Sequence, residues 1–194
     1  MKVSREQAGE NRRRIVEVAA ELFREHGFDG IGLADLMKKA GLTHGGFYGH
    51  FRSKEDLAAE AAARALSKSR ETLSAVADGA KGDPLAALVS AYLSERHIKE
   101  RGAGCAFAAL GSDAPRHGKP LRSVFRKGVE DYLAILADLV SGRTKAEKRK
   151  KAMAALSGMV GALVLARAVD DADLTKEILA ATASSLTTPP AGNA

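Results

Sequence analysis

Apolar residues recur at helical spacing along nearly the whole chain. Ile15, Val18, Ala19, Leu22 and Phe23 fall at i, i+3, i+4, i+7 and i+8, which is one face of an amphipathic helix. Ser4 and Gln7 have capping-box spacing at its start, with Gly9 blurring the boundary. The helix should end near His26 and Gly27, where a glycine can take the left-handed cap conformation. Leu33, Leu36, Met37 and Ala40 mark a shorter second helix closed by Gly41, after which Thr43 can cap a third that runs to about Phe51. A long fourth helix starts at Ser53, with Glu55 and Asp56 in its first turn, and reaches about Val76. The polar stretch 78–84 ends in Pro84, which opens a helix carrying Leu85, Leu88, Val89, Tyr92 and Leu93 on one face. A short helix follows from about Cys105 to before Pro115, then a long one through Phe125, Val129, Tyr132, Leu133, Leu136, Leu139 and Val140. Two more are expected over residues 144–168 and 171–186. No useful run alternates as a strand would, so the pattern predicts an all-α chain of about nine helices.

The domain boundaries implied are a three-helix helix-turn-helix unit over residues 1–54, a helical unit over 55–186 and a disordered tail over 187–194, which contains Pro189 and Pro190. Composition is that of a soluble globular protein, with 194 residues, 45% hydrophobic and 28% charged. Cys105 is the single cysteine, so no disulfide within the chain is expected and a reducing, cytoplasmic setting fits. Met1 to Arg14 is polar and basic, unlike a signal peptide. The apolar stretch from Ala152 to Ala166 has 15 residues, short of the roughly 20 a spanning helix needs, so a buried soluble helix is expected and no membrane partner. A net charge of +6 favours a polyanionic partner, although where the charge sits matters more than its total.

Three short helices with a glycine turn between the second and third meet the requirements of a helix-turn-helix, whose last helix enters the major groove of DNA. Here that helix spans Thr43, His44, Gly45, Gly46, Phe47, Tyr48, Gly49, His50 and Phe51. Phe47 and Phe51 lie one turn apart and should point inward onto Leu22, Leu36 and Met37. The opposite side then offers His44, Gly45, Tyr48 and the backbone around Gly46.

Several stretches at fixed spacing make residues from about Arg13 to Leu57 resemble the DNA-binding domain of the TetR family of transcriptional regulators. They are Ala19-Ala20-Glu21-Leu22-Phe23, Gly27-Phe28-Asp29, Ala40-Gly41-Leu42-Thr43, Gly45-Gly46-Phe47-Tyr48-Gly49-His50-Phe51 and Ser53-Lys54-Glu55-Asp56-Leu57. The resemblance implies a base contact at His44 and close approach to the groove at Gly45. It implies backbone contacts from Tyr48 and the neighbouring His50, a phosphate contact from Lys54, and a capping or phosphate-binding hydroxyl at Thr43. Gly46 replaces a more usual Thr or Ser, Gly49 is also unusual, and Ile31-Gly32 leaves the second helix without a good cap. Three glycines weaken so short a helix by roughly 1 kcal/mol each relative to alanine, so packing or DNA must hold it.

The helix around Met153 to Val164 is apolar nearly all round and needs cover on two sides. Leu156, Met159, Val160 and Leu163, with Leu174 and Ile178 from the last helix, are therefore expected at a homodimer interface, in agreement with the resemblance. A dimer places two recognition helices on a twofold axis and reads a pseudo-palindromic double-stranded operator. Tyr92, Phe107, Phe125, Tyr132 and Met159 are candidates for a small apolar pocket, with ordinary core packing as the competing role. The resemblance implies a ligand-responsive repressor released by an unidentified small-molecule inducer; a constitutive DNA binder is the alternative. Cys105 is read as a small buried residue, with oxidant sensing as the other possibility. Arg143, Lys145, Lys148, Arg149, Lys150 and Lys151 form a dense basic run read as a solvated face, with a second DNA site as the alternative. Arg12-Arg13-Arg14 is also read as a solvated face, with contact to the DNA backbone or flanking minor groove as the alternative for each. No catalytic triad, metal cluster or phosphate-cradling loop has meaningful spacing, so neither enzyme activity nor a cofactor is expected.

Overall fold

A computed structural model of the chain describes residues 4–188. Among the described residues there are nine α-helices, three short 3-10 helices and no strand. Their Cα positions divide into two units, the first running to Ser69 and taking in Arg101–Gly128, the second comprising Arg70–Glu100 and the chain from Val129 onward.

The first unit begins with α1, Arg5–His26. Ser4 Oγ accepts from the Gln7 amide at 3.1 Å, but the Gln7 side chain donates to Glu10 and Asn11 instead, so only half of the expected capping box forms. Gly27 closes the helix at φ 79 and returns its N–H to the Phe23 carbonyl. Next come α2, Leu33–Lys39, and a 3-10 helix, His44–Gly49, with Gly41 at φ 70 making the turn between them. As the sequence suggests, α2 has no side-chain cap. The helix α3, Lys54–Asp78, starts here and continues into the second unit. Ile15, Ala19, Phe23, Leu36, Met37, Phe47 and Leu57 have no exposed surface and form the core around which these elements close.

The same unit holds a 3-10 turn, Arg101–Ala103, then α6, Ala106–Leu110, a second turn, Ala114–Arg116, and the start of α7, Lys119–Leu139. Arg24 is buried and its Nε donates to the Gly102 carbonyl at 2.7 Å. A Cβ at Gly102 would come within 2.8 Å of Glu21 Cγ, so only glycine allows this approach to α1 without displacing a side chain. Phe107 and Phe125 pack edge to face at 5.8 Å. Cys105 stands at the N-cap position of α6 without a side-chain capping bond and is 1% exposed.

In the second unit α4, Pro84–Tyr92, is capped by Asp83, and α5, Glu95–Lys99, by Ser94. The helices α8, Lys145–Ala168, and α9, Ala172–Thr187, pack on each other, Gly158 facing Thr182 and Leu186. Thr144 and Glu147 form a complete capping box at the start of α8. Its interior stripe is Ala152, Ala155, Leu156, Met159, Ala162, Leu163 and Ala166. Met153, Val164 and Leu165 point outward, 44%, 43% and 55% exposed. By length and composition alone α8 is long and apolar enough to cross a membrane, with mean hydropathy 1.4 over its best window, 39% of which is buried.

The structure departs from the sequence expectations at several points. The third helix is a 3-10 helix, because three glycines in six residues leave too little α propensity to sustain an α-helix. Thr43 makes no side-chain capping bond to it. The short α5 is additional, and α7 begins at Lys119 because Pro120 is tolerated in a first helical turn. Thr187 is the last residue of α9; residues 189–194 of the expected tail lie outside the described residues.

Candidate nucleic-acid interface

The 3-10 helix hangs from Phe47, which packs on Phe51 just beyond its end. Phe47 is fully buried and stacks on Phe51 with ring centroids 5.5 Å apart, and the Tyr48 ring stands edge-on to Phe47 at 5.3 Å. Burying Phe47 turns the rest of the segment outward. Thr43, His44, Gly45, Gly46, Tyr48 and Gly49 are all exposed, Tyr48 to 66%. His44 and Tyr48 meet edge to face at 6.2 Å, so an imidazole and a phenol hydroxyl are offered side by side.

None of the three glycines has positive φ. A Cβ at Gly45 or Gly49 would meet nothing within 4 Å, and one at Gly46 would lie 3.5 Å from Thr43 Oγ1. The fold therefore does not demand glycine there, and the result is a bare backbone strip beside two hydrogen-bonding rings. Such a strip suits close approach by a nucleic-acid backbone or groove edge.

His50 is half-buried, and its carbonyl accepts from the Arg12 guanidinium. Lys54 is the first residue of α3, and its Nζ donates to the Ile31 carbonyl at 2.8 Å. An ammonium has three donors, so this bond fixes the side chain without exhausting it. Thr43, His44, Gly45, Gly46, Tyr48, His50 and Lys54 thus belong to one short run in the first unit. Arg13 and Arg14 are exposed on α1. Arg12, grouped with them in the sequence reading, instead bonds the far end of the recognition segment; that contact spans 38 residues and leaves no local pattern in the sequence.

The five candidate pocket residues are all buried but divide between the two units. Phe107 and Phe125 pack on each other in the first, while Tyr92, Tyr132 and Met159 belong to the second. A groove of 480 Å³ in the second unit is lined by Arg70, Glu71, Ser74, Asp78, Asp131 and Ile135 among others. Another of 380 Å³ lies between α4 and α9, bordered by Val89, Leu93, Lys176 and Leu179. None of the five lines either groove.

Of the six residues expected at a dimer interface, Leu156, Met159 and Leu163 face the interior of their own unit. Val160 and Ile178 are half-buried, and Leu174 is exposed. The outward apolar face of α8 is instead Met153, Val164 and Leu165. An all-round apolar helix gives no sign in its spacing of which side its own chain will take.

His97 in α5 is half-buried, its Nδ1 lying 2.7 Å from the Tyr92 carbonyl and its ring edge-on to Tyr92 at 4.7 Å. Its own carbonyl accepts from Arg167 of α8 at 2.7 Å. Burial pushes its pKa below the ordinary 6.5, helped by the charges of Arg167 and Arg96 and opposed by the bond to Tyr92. The unfolded chain therefore binds this proton more readily than the folded one. Stability from this site should be complete above the ordinary value of 6.5 and decline as pH falls below it. Urea unfolding across that range should show the decline, and His97→Gln should flatten it.

Comparison with known proteins agrees with this geometry. Residues 15–61 match the family model described as bacterial regulatory proteins, tetR family. The chain is similar to the HTH-type transcriptional regulator AcrR of Shigella flexneri, 39% identical over 57 residues, which is 29% of this chain and 26% of that protein. It is also similar to the HTH-type transcriptional repressor NemR of Escherichia coli, 26% identical over 138 residues, 69% of each chain. The crystal structure of a TetR transcriptional regulator from Chloroflexus aurantiacus superposes with a TM-score of 0.78 at 25% identity, covering 94% of this chain and 97% of that one.

Proposed function

Because this chain is a member of the TetR family of DNA-binding transcriptional regulators, we propose that it represses transcription by binding a pseudo-palindromic operator as a homodimer and that a small molecule releases it. The single observation that carries the DNA reading is the exposed strip from Thr43 to Gly49, held outward by the buried Phe47. In this reading His44 reads a base edge, while Tyr48, His50, Thr43 and Lys54 hold phosphates and the bare backbone at Gly45 and Gly46 allows the duplex to come close. The family is one of regulators and not of enzymes.

The dimer is supported by the outward apolar residues Met153, Val164 and Leu165 of α8, with Val160 half-buried on the same helix and Leu174 exposed on α9. Two recognition segments related by a twofold axis supply the base contacts that one short segment lacks. A small-molecule inducer would act by binding better to the dimer whose recognition segments are wrongly spaced for DNA, with Tyr92, Tyr132 and Met159 of the second unit as its candidate contacts. Such a regulator works in the cytoplasm, where its operator is.

Selection of duplexes from a random pool by the purified chain tests the reading. It should return a pseudo-palindrome, and recovery of no preferred duplex would overturn it. On the selected duplex, Tyr48→Ala should weaken binding by about tenfold and lower the slope of log affinity against log salt by about 0.9, the signature of one lost phosphate contact. An unaltered slope would remove Tyr48 from the backbone.

A further inference from the structure

The 3-10 helix that presents Tyr48 has little of its own to keep it in shape. Half of its six residues are glycine, and Thr43 gives it no side-chain cap. The buried Phe47, its stack on Phe51 and a charged side chain from another helix hold it in place. We propose that Arg12 is the positioning residue of this DNA-contacting segment, acting as a brace between α1, the end of the 3-10 helix and α3. The inference rests on the DNA reading of residues 43–54.

The guanidinium makes three contacts at once. Nη1 donates to the carbonyl of His50, the residue that closes the 3-10 helix. Nη2 donates to the Glu60 carboxylate on α3. The Arg12 Cζ atom sits 4.2 Å from the centroid of the Phe51 ring. The amides of His50 and Phe51 both return to the Phe47 carbonyl, at 2.8 and 3.0 Å. Arg12 therefore grips the same turn that carries the end of the recognition segment.

This geometry sets Arg12 apart from its neighbours. Arg13 is exposed, and the Arg14 guanidinium bonds Asn11 on its own helix, at 3.3 Å. The charge of Arg12 is matched by Glu60, and two of its donors are already engaged within the protein, which leaves it poorly placed to serve as a phosphate contact. A planar fork can hold a carbonyl and a carboxylate while lying against a ring; a lysine ammonium at the end of a flexible stem cannot span all three. Through Arg12, an intrinsically weak segment is held in its binding shape before DNA arrives, and the ordering cost on binding is reduced.

The test uses the full chain, the duplex recovered by selection, and the variants Arg12→Met and Arg12→Lys. Both should weaken binding by about tenfold, the size expected for losing a charged hydrogen bond, and both should leave the salt slope at the wild-type value. In the DNA-free protein, exchange of the His50 and Phe51 amides should quicken by about tenfold or more, while Ala19 to Phe23 keep their protection. Wild-type affinity in Arg12→Lys would show that charge alone matters and overturn the proposal. A slope lower by about 0.9 would make Arg12 a phosphate contact and overturn it likewise. Unchanged exchange at His50 and Phe51 would do the same. Because the exchange arm needs no DNA, it decides the role of Arg12 even if selection recovers no preferred duplex.

Discussion

Replacing Phe47 with alanine is expected to abolish sequence-specific DNA binding and to cost about 3–5 kcal/mol of stability. Phe47 has no exposed surface, stacks on Phe51, and supports Tyr48 through an edge contact. The segment around it cannot compensate, because its glycines contribute no side-chain packing and its hydrogen bonds are those of a single 3-10 helix. Loss of the ring removes the anchor that makes one side of the segment the inside. Urea unfolding should show the lower stability, and anisotropy with a labelled duplex should show binding reduced to the level of nonspecific polyanion attraction. Phe47→Leu, which refills much of the volume, should recover most of the stability and a measurable part of the preference. Intact specificity in Phe47→Ala would mean that another surface reads the DNA.

The second large effect concerns assembly. Val164→Glu combined with Leu165→Glu should convert the dimer to a monomer and weaken operator binding by about a hundredfold or more. Both side chains are exposed within the chain, so the fold should survive, as circular dichroism can verify. At a subunit interface each carboxylate would lose its hydration without gaining a partner. The affinity loss follows from avidity, since linking two half-site contacts multiplies effective affinity by about 10² to 10⁴. Sedimentation should report the mass and anisotropy the affinity. A double variant that remains dimeric would place the twofold contact away from this face of α8.

The parts of the molecule written in local periodicity were legible in the sequence. The inward face of α1, the aromatic pair Phe47 and Phe51 and the long α7 all follow from apolar spacing that only a helix satisfies. The exposed strip could be read because two phenylalanines one turn apart leave a single side for His44 and Tyr48. What escaped reading depends on distance along the chain or on competition between faces. Arg12 looks like one of three equivalent arginines until a partner 38 residues away, and another 48 away, distinguish it. Lys54 is marked as a phosphate contact by the family pattern, but its bond to the Ile31 carbonyl, 23 residues away, leaves no local pattern in the sequence. In α8 every side is apolar, so spacing could not separate Leu156, Met159 and Leu163, which the chain itself buries, from Met153, Val164 and Leu165, which it leaves outside. Tyr92 and Phe107 look like one pocket in the sequence and fall in different units of the fold.

The open space around Gly45 and Gly49 bears on how this regulator can change its target. A Cβ introduced at either position would meet nothing within 4 Å, and alanine would also reduce the flexibility of the unfolded chain. The two positions are blank letters in the reading surface. A lineage of this protein can acquire a new operator preference by filling them one substitution at a time, without first repairing its fold, and a library randomised at these sites should yield mostly folded members with divergent targets.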